Sequence, residues 1–518
     1  MKRATRPRTV LFLLSDTGAG HRSAANAVHS AMQLVEQQIA SAQRNAGDLT
    51  TARRPKGHDP NWRALLVDVF AECGRFPLSK GISLYGPAIT YSPRLYSQIY
   101  RMTNSVNRFN AAYRLSQPFI RQGLIQLLER TRPDVIVSVH PLVNHITLQA
   151  LRDLGLRIPF ITVVTDLFSV HCSWIAPGVT ACVTPTEAAQ QFAIAGGIPA
   201  RRVHLLGMPI DPKFATPPTT TPEERKAALG FDPKLPVVLL VGGGDGAGGL
   251  ARAADALSRE QLNAQLAIVT GRNKQLYAEL LRHKEQFLTP VHLFGFVNNM
   301  PDLMRAADVI VTKAGPGTLS EAMACELPII LTGAVPGQEE GNVDFVLEND
   351  IGVLATSPQR IVDALHSLLD PSNPQLGRMR ENVRRLSKPR ASFDIARLIL
   401  AQLPATGAPS IWEQAQRPTR GRLTRALLSR RRLTLPTPSR LIRGRGSGSR
   451  SRRLLRVHIP GWGRSRSPFK RLPGLPSLAG ARALLLRGTS FGKAQFLRAD
   501  RARQRVNSRV DEGTSDLA

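Results

Sequence analysis

Short, uninterrupted apolar runs alternate with helix-like segments along most of this chain, and the alternation occurs twice. The first series is TVLFLLS (9–15), ALLVDVF (64–70), DVIVSVH (134–140) and FITVVTD (160–166). After the Pro/Thr-rich stretch PPTTTP (217–222) it restarts as VVLLVGGGDGAGG (237–249), LAIVTG (266–271), VHLFGF (291–296), DVIVTKAG (308–315) and LPIILTG (327–333). Apolar runs without polar alternation suit strands covered on both faces, and strands alternating with helices suit parallel sheets. Each series also has a glycine loop directly after its first strand. The chain is therefore expected to be α/β, with two doubly wound Rossmann-like domains facing a cleft. Ligands of such sheets bind beyond the carboxyl ends of the strands. The boundaries read as 1–210 for the first domain, 211–234 for a linker, 235–404 for the second domain with its final helices, and 405–518 for a tail.

Charge separates that tail from the rest. The net charge of the 518 residues is +31. Residues 405–518 hold 26 Lys+Arg against 5 Asp+Glu, a net of +21, which leaves +10 for residues 1–404. Rich in Arg, Ser, Pro and Gly, the tail cannot bury enough apolar surface to fold and is expected to be disordered. The four cysteines form no CxxC pair, so reduced thiols are expected rather than a zinc ribbon or a disulfide framework. The apolar run after MKRATRPR is only VLFLL, too short for a secretory signal, and no run approaches the roughly 20 residues of a spanning helix. A peripheral protein on the cytoplasmic face of a membrane is the expectation.

Three stretches carry chemistry. In SDTGAGHRS (15–23), Gly18 and Gly20 precede His21. Position 23 is Ser and no acidic residue is clearly placed about 20 residues later, so a dinucleotide fingerprint does not fit. An imidazole titrating near neutrality is suited instead to taking a proton, or to orienting the group that loses one. Asp166, at the end of another strand facing the same cleft, is the rival base. In TKAGPGTLSEAMA (312–324), Gly315, Gly317 and Thr318 open a helix, and its amides and dipole suit a diphosphate. Glu321, one turn in, either holds ribose hydroxyls or serves the helix dipole. In GAVPGQEEGNVDFVLEND (333–350), Gln338, Glu339, Glu340 and Asn342 offer the clustered carboxylates and amides that bind sugars, although a solvated turn has the same composition. No DxD occurs, so a metal-bridged diphosphate is not suggested and neither metal nor cofactor is expected.

SDTGAGHRSAANAV, SVHPLVNHI (138–146), TDLFSVHCSW (165–174), GFVNNM (295–300), TKAGPGTLSEAM and PGQEEGNVDFVLEN together resemble the monogalactosyldiacylglycerol synthases of glycosyltransferase family 28. This group also includes the processive diacylglycerol glucosyltransferases, and the likeness runs in order over roughly residues 9–400. The resemblance implies the GT-B fold, a UDP-sugar on the C-terminal domain, and a diacylglycerol on the N-terminal domain. It also implies inverting transfer of a hexose, galactose favoured over glucose, to the free hydroxyl. The loop histidine of the family, here His21, would be the base. Gly243 and Gly244 would border the phosphates, while Gly271, Arg272 and Asn273 would lie near the nucleotide. Phe296 and Val297 would hold the uracil, unless Phe296 is core. Gly20, His140 and Trp174 would serve the acceptor, unless Trp174 is core. The related transferase acting on a polyprenyl-linked peptidoglycan precursor is the alternative within the enzyme class, and a nonenzymatic adaptor led by the tail is the alternative outside it.

From Cys73 to Leu128 there is no Asp or Glu, and five of the six tyrosines fall there: Tyr85, Tyr91, Tyr96, Tyr100 and Tyr113. Lys80 and Arg75 lie in the same stretch. Arg94, Arg101, Arg108, Arg114 and Arg121 follow at spacings of 7, 7, 6 and 7, near one face of a helix. Such a surface suits anionic headgroups. A nucleic-acid groove is the competing reading, but no nucleic-acid fold motif accompanies it and no specific nucleic acid is expected.

Overall fold

The computed structural model describes residues 6–16, 19–47, 62–79, 92–242, 249–405 and 408–416. Gly18, Lys80, Tyr85, Tyr91, Gly243, Gly244 and the tail from 417 onward lie outside the described residues.

The strands are β1 (Arg8–Leu14), β2 (Trp62–Asp68), β3 (Val135–Ser138), β4 (Phe160–Val163), β5 (Ala181–Thr184) and β6 (Val203–Leu205), then β7 (Val237–Val241), β8 (Gln265–Val269), β9 (Val291–Phe294), β10 (Val309–Thr312), β11 (Ile329–Leu331) and β12 (Gly352–Leu354). The helices of the first half are α1 (Ala19–Gly47), α2 (Val69–Cys73), α3 (Pro93–Thr103), α4 (Val106–Thr131), α5 (Asn144–Leu154) and α6 (Glu187–Ala195). Those of the second half are α7 (Pro222–Ala228), α8 (Leu250–Ser258), α9 (Lys274–Arg282), α10 (Met300–Ala306), α11 (Pro316–Ala324), α12 (Glu340–Glu348), α13 (Pro358–Leu369) and α14 (Gln375–Leu386). The last two are α15 (Ala391–Leu400) and α16 (Ile411–Gln416).

Two six-stranded sheets result, ordered β2-β1-β3-β4-β5-β6 and β12-β11-β10-β7-β8-β9, and every pairing is parallel. Strand order reverses between β1 and β3 in the first sheet and between β7 and β10 in the second. The segments leaving those strands diverge, which opens a crevice at each reversal. The continuous apolar runs follow from burial on both faces. Along β1, Leu11 and Leu13 enter one core with Ile120, Leu124 and Leu128 of α4. Val10, Phe12 and Leu14 enter the other, with Ala25, Val28, Met32 and Val35 of α1. The second sheet is covered in the same way, by Leu319 and Ala322 on one side and by Ala253, Leu257 and Leu365 on the other.

Three boundaries differ from the expectation. Ile395, Ala396 and Ile399 of α15 pack in the core of the first sheet, against the same strands as α1, so the final helices return to the N-terminal domain. Residues 408–416 are structured too: Trp412 is buried in the other core of that domain and its indole donates to the Pro133 carbonyl at 3.0 Å. The stretch 211–234 is no bare linker. Phe214 and Phe231 are buried with the second sheet, and α7 opens on a capping box in which Thr221 and Glu224 satisfy each other's backbone amides.

Candidate active site

The N-terminal half of the site sits where β1 and β3 diverge. His21 is the third residue of α1, on its first turn rather than in the loop that its glycine neighbours suggested. Its Nδ1 lies 2.8 Å from the Val139 carbonyl, just past β3, and 3.0 Å from the Thr165 hydroxyl, just past β4. A carbonyl only accepts, so Nδ1 carries the proton and Nε2 is left as the basic nitrogen. Burial holds the imidazolium down to about 4, with the Val139 bond opposing that shift, so the ring is neutral at physiological pH. His140 packs edge-on to His21, with ring centroids 4.6 Å apart. It is itself buried, held well below its ordinary pKa by burial and by the neighbouring imidazole. A Cβ at Gly20 would meet nothing within 4 Å, so the space beside the first turn is open.

Asp166 follows β4. Burial raises its carboxyl to about 6, although the Trp174 indole at 2.8 Å and the His171 amide at 3.3 Å both favour the ionised form. Trp174 is fully buried within the core of its domain. It offers no surface to a lipid and instead anchors Asp166. That corrects the acceptor role implied for it.

The C-terminal half forms where β10 ends. The cap residue of α11, Gly315, makes no side-chain cap and Pro316 follows, so the amides of Gly317 and Thr318 are left for an anion. A Cβ at Gly317 would meet nothing within 4 Å. Glu321 accepts no hydrogen bond from the described residues. Burial, then the charge of Asp211, lifts it to about 7. A half-buried carboxylate with no donor among the described residues is a ready acceptor for a diol. Phe296 is 58% exposed and carries the Arg272 guanidinium over its ring at 5.2 Å, which rules out the core reading. Val297 packs against the core beside it. Gly271 takes a positive φ of 61°, and Asn273 spends its Oδ1 capping α9 through the Leu276 amide.

Glu339 is buried and doubly engaged. Lys313 pairs with its Oε1 at 2.7 Å and the Val335 amide donates to Oε2 at 2.9 Å. Asn342 donates to the Ala314 carbonyl at 2.9 Å, while its buried Oδ1 has no partner among the described residues. Lys313 was missed from the sequence. A lysine directly after an apolar strand at the sheet's reversal point was the available signal.

The two halves touch. The Tyr96 hydroxyl on α3 donates to Gln338 Oε1 at 2.7 Å, and Ser169 Oγ accepts from the Gly341 amide at 3.0 Å. Phe168 packs on Phe345 with centroids 5.7 Å apart. Arg101 pairs with Glu340 at 2.8 Å, so it faces the second domain rather than headgroups. The five-arginine face is also interrupted, because the helix breaks at Asn104 and Ser105 into α3 and α4, and Arg121 pairs with Asp153 at 2.8 Å. Arg94, Arg108 and Arg114 stay exposed.

Two parallel six-stranded sheets, each with a crevice where its strand order reverses, make up the GT-B fold, and the family models place the chain among the glycosyltransferases of that fold. The family model for monogalactosyldiacylglycerol (MGDG) synthase matches residues 49–210, and that for glycosyl transferases group 1 matches residues 222–386. Monogalactosyldiacylglycerol synthase 1, chloroplastic, of Arabidopsis thaliana is 35% identical over 401 residues, covering 76% of this chain and 70% of that protein. Monogalactosyldiacylglycerol synthase 3, chloroplastic, of the same plant is 34% identical over 414 residues, covering 76% and 81%. The chain belongs to the monogalactosyldiacylglycerol synthase family, and it is a hexosyltransferase.

Proposed function

We propose that this enzyme transfers a hexose, galactose in preference to glucose, from a UDP-sugar to the free hydroxyl of a 1,2-diacylglycerol, with inversion, at a membrane surface. The observation that carries the reading is the Nδ1–H of His21 fixed on the Val139 carbonyl, which reserves Nε2 as a base at the cleft. In this reading the acceptor oxygen attacks the anomeric carbon as its proton passes to Nε2, with Asp166 the rival base. The bond to the diphosphate breaks and its electrons leave with UDP. The amides of Gly317 and Thr318 and the dipole of α11 stabilise that leaving charge. Glu321 takes the ribose hydroxyls, Phe296 and Val297 flank the uracil, and Gln338, Glu339 and Asn342 face the hexose.

Supporting the membrane surface, Leu95, Ile99 and Met102 form an exposed apolar stripe on α3 at helical spacing, flanked by the exposed Arg94 and Arg108. No helix among the described residues is long and apolar enough to cross a membrane.

The test is incubation of the protein with diacylglycerol vesicles and UDP-galactose, UDP-glucose or UDP-N-acetylglucosamine in turn, with the glycolipid and its anomeric configuration identified. A β-linked galactolipid is expected. Transfer of N-acetylglucosamine alone, or no transfer, overturns the reading.

A further inference from the structure

α3 belongs to the N-terminal chain segment, yet its inner face rests on the segment of the C-terminal domain, the loop before α12 and the first turn of that helix, that holds Gln338, Glu339 and Asn342. Four contacts join them. Tyr96 donates to Gln338 Oε1 and Arg101 pairs with Glu340. Gly337, at φ +86°, passes so close that a Cβ there would lie 3.2 Å from Ser97 Oγ and 3.4 Å from Tyr100 Cδ1. Beside them, Ser169 accepts from the Gly341 amide, and a Cβ on Gly341 would overlap that hydroxyl. The loop is thus shaped on one side by its own domain, through Lys313 and Asn342, and on the other by α3.

A glutamine amide reads a sugar hydroxyl either as donor or as acceptor, and which it offers depends on how its plane is turned. A tyrosine hydroxyl donating to Oε1 fixes that plane. We infer that Tyr96 is a positioning residue for donor-sugar recognition, acting through Gln338, so that choice of the hexose is shared between the two domains. The inference rests on the reading of residues 337–342 as the sugar loop. Arg101 apart, the other hydrogen-bonding groups here, Tyr100 of α3 and its cap residue Asn104, serve the other side of the cleft. The Tyr100 hydroxyl donates to the Ser169 carbonyl at 3.3 Å, and Asn104 Oδ1 accepts from the Cys172 amide at 2.8 Å, in the loop that carries Asp166. Tyr96 is thus the member of α3 that addresses a sugar-facing side chain directly.

The experiment is a double-mutant cycle of Tyr96→Phe and Gln338→Ala in the full chain. Binding of UDP-galactose, UDP-glucose and UDP is measured by calorimetry, and KM and kcat are determined for both donors. Tyr96→Phe keeps the ring and loses only the hydroxyl. It should weaken UDP-galactose about two- to tenfold, the range of one hydrogen bond. It should also narrow the preference between the epimeric donors, raise KM more than it lowers kcat, and leave UDP affinity and thermal stability as in the parent. In the Gln338→Ala background the same substitution should have no further effect. Additive losses, or an equal loss for UDP, overturn the inference. If the parent chain binds UDP-galactose no differently from UDP, the sugar-loop reading itself fails, and that result is separate from the cycle.

Discussion

The indole N–H of Trp174 donates to Oδ2 of Asp166 over 2.8 Å, and this bond ties the pKa of one candidate base to a buried aromatic. Asp166 is raised to about 6 and His21 lowered to about 4, so both are unprotonated at pH 7. Acid separates them. A reaction that needs ionised Asp166 loses kcat as pH falls through about 6, whereas one that needs neutral His21 holds until about 4. With donor saturating, kcat from pH 4 to 8 should show the lower limb. Trp174→Phe removes a donor that favours the carboxylate, so it would move an Asp166 limb upward and should leave this one where it is.

His21→Ala should lower kcat by roughly 10²–10⁴-fold, the usual worth of a general base. UDP affinity should stay within about twofold, because His21 touches Val139, Thr165 and His140, all in the N-terminal domain. Turnover above about a tenth of the parent rate would remove His21 from the role.

Glu321 offers a proton-linked signature. Ribose hydroxyls donate to the ionised carboxylate, and the free site holds it at about 7. UDP affinity should therefore weaken as pH falls below 7, by up to about tenfold per unit. Binding at pH 7 should release protons, visible as a buffer-dependent calorimetric enthalpy. Glu321→Gln should bind more weakly and lose the part of the pH slope that the carboxylate supplies. Glu339→Ala strips Lys313 of its partner and should impair UDP-sugar binding while sparing UDP.

Trp412 makes the position of any truncation matter. A chain ending after residue 416 should fold and turn over like the full enzyme. One ending at 404 loses a buried tryptophan from the core of the N-terminal domain, a loss typically worth about 3–5 kcal/mol, and should melt well below the first. Parallel melting curves of the two chains and of Trp412→Ala in the longer one check this.

In the chain ending after 416, Arg94, Arg108 and Arg114 changed together to Ala should weaken binding to anionic vesicles, at about 1 kcal/mol for each charge. Salt at 1 M, where the Debye length is about 3 Å, should mimic that change. Leu95, Ile99 and Met102 changed to Ser should weaken binding at any salt. Activity on a short-chain soluble diacylglycerol should survive both sets. Unaltered vesicle sedimentation for both would assign α3 to another partner.

The sheets were legible because parallel strands are wrapped on both sides and lose the polar alternation that makes other strands ambiguous. The uncapped start of α11 was legible because a helix opening needs only local residues, Gly315 to Thr318. What stayed hidden depends on distant partners. The even arginine spacing counted through Asn104 and Ser105 as if the helix continued. Glycine content drew His21 into a loop, when it stands on a helical turn. Lys313 and Glu339 are 26 positions apart, and only the fold pairs them. An amphipathic helix such as α15 carries no mark of which sheet it will cover.

The return of α15 means that the chain passes between the two sheets twice, and the two passages lie against each other. A Cβ on Gly207, at φ +104°, would come within 2.8 Å of the Lys388 Cβ and 3.0 Å of the Ala391 Cβ, and the Ser392 hydroxyl donates to the Ile210 carbonyl. Two adjacent covalent pivots restrain the halves to swinging about the line that joins them and resist sliding. Tyr96, Arg101 and Ser169 meet residues 338–341 across the cleft, so a swing that parts the two sheets there has to break these hydrogen bonds.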